Sequence, residues 1–180
     1  MKNILRQIYS IVPYKFRLGK NYFDYKKFIH TSSLWSIEKI QSWQQQQIAE
    51  ILSYAYENCD GYRELYLQNN ITPRDFQCLD DLSNYPYVTK ELLRDNLAAF
   101  TSNEFTKREL HYCTTGGSTG IPFGFYNTKS ELLLEKAYIH SVWEHFGWSL
   151  RDRNIEIRGS FNEKNKLSYY NPLHLSLIHI

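Results

Sequence analysis

From Ser36 onward, apolar residues recur at three- and four-residue steps: Ile37, Ile40, Trp43, Ile48, Ile51, Leu52 and Ala55. That spacing predicts an amphipathic helix, with Ser36 as its cap and Gly61 following its end. Tyr54, Tyr56, Tyr62 and Tyr66 fall in and just after this stretch. They read as half-buried rings with wet hydroxyls rather than as a platform for ligand stacking. Residues 71 to 89 form a connector punctuated by Pro73 and Pro86, after which Thr89 caps a helix through about Ala98. The period then drops to two. Leu110-His111-Tyr112-Cys113 alternates, and Phe123-Gly124-Phe125-Tyr126 alternates again, so two strands joined by a loop are expected. Thr128-Lys129-Ser130-Glu131 makes a capping box. The helix it opens carries Leu132, Leu133, Ala137, Val142, Trp143 and Phe146, and Gly147 stops it. Asn154-Ile155-Glu156-Ile157-Arg158-Gly159 returns to strand alternation. The fold class is therefore α/β, a helical N-terminal half followed by the start of a mixed sheet.

Residues 1 to 30 follow a different pattern. Ile4, Leu5, Ile8, Ile11 and Val12 share one helical stripe, while Lys2, Arg6, Lys15, Arg17, Lys20, Lys26 and Lys27 are opposed only by Asp24. This basic amphipathic arm reads as a terminal helix docked on its own protein. The alternative is a peripheral membrane contact, with the stripe among acyl chains and the lysines over anionic headgroups. Arg6 and Gln7 interrupt the apolar positions, which excludes a signal peptide.

Composition narrows the classes. At 180 residues, with 42% hydrophobic and 16% aromatic content, the chain is long and apolar enough for a genuine core. Twenty-one basic against nineteen acidic residues give no bulk electrostatic case for nucleic acid. Cys59, Cys78 and Cys113 are widely spaced, which indicates neither a disulfide framework nor a zinc site and fits a reducing cytoplasm. No apolar run approaches the ~20 residues of a bilayer span. Asp80 and Asp81 are adjacent, so in extended chain they point to opposite sides and read as solvated or capping groups. His140 and His145 stand five apart, the wrong interval for a zinc pair on one helix face, and read as exposed or satisfied helix residues.

The candidate chemistry lies between the two strands, in Thr114-Thr115-Gly116-Gly117-Ser118-Thr119-Gly120-Ile121-Pro122. Glycines there reach positive φ and let a bulky anion approach the main chain. Successive N–H groups can then converge on phosphate oxygens, with the hydroxyls of Thr114, Thr115, Ser118 and Thr119 as further donors. A Walker loop is excluded, because no lysine occurs between Lys107 and Lys129 and Gly120 is followed by Ile121-Pro122 rather than by a helix. A dinucleotide fingerprint fails because Gly116 and Gly117 are adjacent. The plain alternative is a tight connection that uses glycine for turn chemistry.

Thr-Thr-Gly-Gly-Ser-Thr-Gly-Ile-Pro resembles the Ser/Thr-Ser-Gly-Ser/Thr-Thr-Gly-x-Pro phosphate loop of adenylate-forming enzymes, and the branch it is most similar to is that of phenylacetate-CoA ligase and the CapK capsular polysaccharide biosynthesis proteins. Upstream, Thr72-Pro73-Arg74-Asp75, Leu79-Asp80-Asp81-Leu82 and Tyr85-Pro86-Tyr87-Val88-Thr89-Lys90 have that branch's order and spacing. Downstream, the long helix ending at Phe146-Gly147-Trp148, followed by Arg151-Asp152-Arg153, is also similar, so the resemblance covers roughly residues 35 to 160. It implies the N-terminal part of the large domain of an adenylate-forming enzyme, with ATP as cofactor and a carboxylic acid as substrate. Thr114, Thr115, Gly116, Gly117, Ser118, Thr119 and Gly120 would hold the β- and γ-phosphates. Magnesium would be held by a ligand outside residues 1 to 180, and coenzyme A would serve where a thioester follows. Ile121 and Phe123 depart from the lysine or small polar residues that many relatives place there.

The resemblance also implies parts not found here: an acidic adenine and magnesium segment, a ribose aspartate, and a small C-terminal domain with a catalytic lysine. Residues 31 to 174 are accordingly expected to be an incomplete AMP-binding domain, inactive alone and exposing apolar surface meant for absent strands. Leu175-Ser176-Leu177-Ile178-His179-Ile180 is what CTG TCT CTT ATA CAC ATC encodes, a string resembling the transposon end used in preparing sequencing libraries. Residues 175 to 180 are expected to be an adapter-derived tail. The implied location is cytoplasmic, with a membrane-peripheral position if the arm binds lipid.

Overall fold

The computed structural model describes residues 12–115, 123–150, 152, 154–157, 168–171 and 176–179. In chain order they form α1 (Tyr14–Ser32), α2 (Ile37–Asn58), α3 (Asp60–Gln68), α4 (Lys90–Asp95), β1 (Leu110–Thr114), β2 (Gly124–Thr128), α5 (Lys129–Glu144), β3 (Asn154–Ile157), β4 (Ser168–Asn171) and β5 (Ser176–His179). Two 3-10 turns, Pro73–Asp75 and Leu79–Asn84, lie between α3 and α4. The chain divides into two compact units, Ser32–Leu132 and the combination of Met1–Thr31 with Leu133–Ile180.

In the unit Ser32–Leu132, α2 begins as its sequence requires. The Ser36 hydroxyl accepts from the Lys39 N–H at 3.4 Å, satisfying one of the donors a helix start leaves open. The apolar stripe of α2 delivers Leu52 to a core shared with Tyr66, Ile71, Phe76 and Tyr85, all buried. Tyr66 anchors it. Its ring stacks on Tyr56 at 6.3 Å and meets Tyr85 edge-on at 5.3 Å, and the Tyr85 hydroxyl donates to the Thr72 carbonyl at 2.8 Å. Tyr56 and Tyr66 are thus packing residues, and the polar tip of Tyr85 finds a main-chain partner.

Two expectations need correcting. Gly61 does not follow the end of the helical run. The helix breaks at Cys59, which is extended at φ −129° and ψ 111°, and Gly61 lies inside the first turn of α3. A Cβ at Gly61 would sit 2.9 Å from the Phe100 ring, and the Gly61 N–H donates to the Ala99 carbonyl at 2.8 Å. Glycine is required by this close approach, a long-range contact that local sequence does not advertise. The helix capped by Thr89 ends at Asp95 rather than about Ala98. The Asn96 N–H bonds back to the Leu92 carbonyl, and the following turn takes the chain to Ala99 and Phe100 against Gly61. Asp81 is a capping group: one carboxylate oxygen accepts from the N–H groups of Gln77 and Cys78, both at 2.8 Å. Asp80 is exposed.

In the other unit, α1 is kinked at Gly19, whose φ of 75° suits glycine. Leu18 and Tyr22 of α1 are buried with Ala137 of α5, and Lys26 reaches Ser141 at 2.9 Å and pairs with Glu144. The described part of the basic arm therefore docks on α5. Ile4, Leu5, Ile8 and Ile11, most of the arm's apolar stripe, lie outside the described residues. Gly147, at φ 85°, ends α5 with its N–H on the Glu144 carbonyl, while the Trp148 N–H reaches back to Trp143. His140 is a satisfied helix residue and a buried one, whereas His145 is exposed and bonds the Ser141 carbonyl at 2.8 Å.

The second sheet is mixed. β5 lies between β3 and β4, parallel to the first and antiparallel to the second. Ser176–His179, within the expected tail, supplies that middle strand. Among the described residues no helix is long and apolar enough to cross a membrane, and no cluster of His, Cys, Asp and Glu could hold a metal ion.

Candidate functional site

β1 and β2 pair antiparallel in the register Leu110 to Thr128, Tyr112 to Tyr126 and Thr114 to Gly124. Both strands form close to where the period-two runs place them, although their burial does not alternate regularly, so the glycine-hydroxyl segment does join two strands. One step beyond Thr114, the Thr115 N–H donates to the Phe123 carbonyl at 2.9 Å. In return the Phe123 N–H donates to the Thr115 hydroxyl oxygen at 3.1 Å, a side chain standing where a ladder would use a carbonyl. These two bonds close the base of residues 116–122.

The same bonds set the phase of the ladder. Bonded and non-bonded pairs alternate in an antiparallel ribbon, so Thr115 with Phe123 and Cys113 with Phe125 are bonded pairs and Thr114 with Gly124 is not. The Thr114 N–H consequently points away from β2. Thr114 and Thr115 are both exposed. Gly116, Gly117, Ser118, Thr119 and Gly120 lie outside the described residues, as do Ile121 and Pro122.

Packing stiffens the stem. The Tyr112 ring lies over Gly124 and meets Tyr126 edge-on at 5.4 Å, while Phe123 and Phe125 stack at 6.0 Å. β2 runs straight into α5 through the expected capping box, in which the Glu131 carboxylate accepts from the Thr128 N–H and the Glu131 N–H donates to the Thr128 hydroxyl at 3.3 Å. No cation lies in sequence between Lys107 and Lys129 other than Arg108, which precedes β1, so main-chain and hydroxyl donors would have to carry anion recognition in this segment.

Beside the hairpin opens an apolar cleft of about 520 Å³, walled in part by Ile51, Leu93, Leu97, Phe100, Phe123 and Phe125. At its edge the Tyr54 hydroxyl is bonded to the Ser102 hydroxyl at 2.7 Å and donates to the Glu104 carboxylate at 2.8 Å. Burial raises the phenol pKa values of Tyr54 and Tyr62 and the thiol pKa of Cys59, so these groups are neutral near pH 7. The Tyr54–Ser102–Glu104 group escaped sequence reasoning. Nothing in the spacing links residue 54 to residues 102 and 104, which meet only because the chain folds back onto α2.

No family model matches the chain. Similar curated proteins do exist. An Escherichia coli (strain K12) phenylacetate-coenzyme A ligase is 33% identical over 87 residues, 48% of this chain and 20% of that protein. A Pseudomonas putida phenylacetate-coenzyme A ligase is 28% identical over 92 residues, 49% of this chain and 21% of that protein. A Thermus thermophilus phenylacetate-coenzyme A ligase is 30% identical over 99 residues, 53% of this chain and 21% of that protein. Over about half of its residues the chain is similar to ligases. It spans about a fifth of the length of the curated relatives it matches. The matches support a relationship to adenylate-forming ligases over about half of these residues.

Proposed function

We propose that this chain is the N-terminal part of an ATP-dependent, carboxylate-activating ligase of the phenylacetate-CoA ligase and CapK type, whose role lies in surface polysaccharide biosynthesis in the cytoplasm. The observation that carries the reading is the glycine-hydroxyl segment mounted on a closed β-hairpin, in a chain similar to three curated ligases. In the reaction, a substrate carboxylate oxygen attacks the α-phosphorus of ATP, the bond to the bridging oxygen breaks, and pyrophosphate departs from an acyl adenylate. Donors held on the β- and γ-phosphates stabilise the charge that grows on the leaving group and keep it in line with the attacking oxygen. Thr114 to Gly120 supply those donors. Magnesium would be held by residues outside this chain and would offset part of the charge. Where coenzyme A follows, its thiolate displaces AMP from the adenylate.

Carboxylate-dependent ATP–pyrophosphate exchange by the full protein carrying this segment tests the assignment. The expected result is exchange that requires a carboxylic acid and is lost in G117V. Absence of exchange with a broad panel of aryl and alkyl carboxylates, in a folded protein, would leave the segment as a structural connection.

A further inference from the structure

Thr114 and Thr115, the first two hydroxyl residues of the segment, do not hold equivalent positions, and the difference is visible at Thr115. Its main-chain N–H is committed to the Phe123 carbonyl and its side-chain oxygen receives the Phe123 N–H, so two of its polar atoms face the opposite strand. Thr114, one residue earlier, occupies a non-bonded pair and keeps its N–H on the side away from β2.

We propose that Thr115 is a positioning residue: its hydroxyl closes the base of the segment against Phe123 and fixes the separation of the donors on either side. The inference rests on the ligase reading for its purpose, but not for its geometry. Without the Thr115 oxygen, the Phe123 N–H has no acceptor at the closing pair. Thr115 and Phe123 are then joined by the Thr115 N–H alone. A hydroxyl on a short β-branched side chain does this well. Threonine favours extended backbone and restricts χ1, which keeps the oxygen aimed across the ribbon. Its O–H proton remains available as a donor, so the clamp and one further hydrogen bond are compatible.

The role separates from direct anion binding because it exists without any ligand. Amide exchange at Phe123, followed by NMR on the 15N-labelled chain in the absence of nucleotide, is the deciding measurement. T115V removes the acceptor at nearly constant shape, and T115S keeps it. The Phe123 amide is expected to exchange about five- to tenfold faster in T115V, as the loss of one ordinary hydrogen bond implies, and to stay within about twofold of wild type in T115S. Unchanged Phe123 exchange in a folded T115V chain, or equal acceleration in both variants, overturns the clamp. Titration of the full protein carrying this segment with inorganic pyrophosphate and magnesium then addresses the purpose. Weaker binding in T115V than in T115S supports a clamp that serves phosphate. If the exchange pattern holds but pyrophosphate binds neither wild type nor variants, the clamp stands and the ligase reading is what fails.

Discussion

The Tyr22 hydroxyl lies 2.7 Å from Nδ1 of His140, across 118 residues of sequence. Tyr22 is fully buried, His140 is 5% exposed, and the imidazole is flanked by Trp148 at 4.5 Å and Trp143 at 5.6 Å. A polar pair inside an apolar cluster specifies one seating of α1 on α5, because any other would separate two desolvated hydrogen-bonding groups. Y22F keeps the edge-on contact with Phe23 and deletes only the hydroxyl. It is expected to destabilise the fold by about 1–3 kcal/mol, read as a lower urea midpoint at unchanged slope. An unshifted midpoint would show that the pair adds nothing to docking.

One turn further along α1, Lys26 joins Ser141 and Glu144. The lysine side chain is 18% exposed and the glutamate 40%, so solvent screens much of the attraction. K26M is expected to cost about 0.5–1 kcal/mol at low salt and less in molar sodium chloride. Salt-independent loss would instead assign the effect to packing of the lysine stem.

Gly61 and Gly124 each lie under an aromatic ring, yet adding a methyl group has different consequences. At Gly61 the new Cβ would press on Phe100 at 2.9 Å and on the Ala99 carbonyl carbon at 3.1 Å, where the neighbour includes backbone. G61A is expected to cost about 1–3 kcal/mol. At Gly124 the obstacle is Tyr112, which is 61% exposed and free to swing aside. The Gly124 φ is not in the left-handed region, and alanine also loses less backbone entropy on folding. G124A is expected to change stability by no more than about 0.5 kcal/mol while separating the Tyr112 and Tyr126 rings. Thermal melts of the two variants, with Tyr126 shifts in G124A, check both halves.

What the sequence made legible was local. Ser36, Thr89, the Thr128 to Glu131 box and Gly147 act within four residues of themselves, and each does in the structure what its type and position imply. The period-two runs became β1 and β2 for the same reason: alternation needs no knowledge of the rest of the chain. Gly61 was misread and Tyr22 and Ser102 were overlooked because their partners are distant, and although His140 is satisfied as its reading has it, its partner was not legible for the same reason. Gly61 answers to residues 99 and 100, and His140 to residue 22. The hairpin under the candidate site was legible in outline, although its second strand starts one residue later and ends two residues later than the alternating run Phe123 to Tyr126. The division of labour between Thr114 and Thr115 was not, since it depends on which pairs of the ladder are bonded, and residue types alone do not set that phase.

Two groups shifted in opposite directions contribute to the pH dependence of stability, alongside the other raised phenols, the raised Cys59 thiol and the lowered Glu38, Glu91 and Glu109 carboxyls. Burial pushes the Tyr66 phenol from 10.0 to about 12, with smaller contributions from Tyr62, Tyr85 and Cys59. A raised folded-state value means that the folded protein holds the proton more tightly than the unfolded chain. Stability is therefore intact below about pH 10 and falls as pH rises from there toward about 12. Asp81 behaves inversely. The N–H groups of Gln77 and Cys78 lower its carboxyl below the ordinary 3.8, so its stabilisation is present above that value and is lost as pH falls through the lowered one. Urea midpoints measured across both ranges are expected to decline at each end. Y66F should flatten only the alkaline decline, and D81N only the acid one. An alkaline decline unaltered in Y66F would move the titrating group away from the Tyr66 cluster and onto the other raised phenols, Tyr54 and Tyr85.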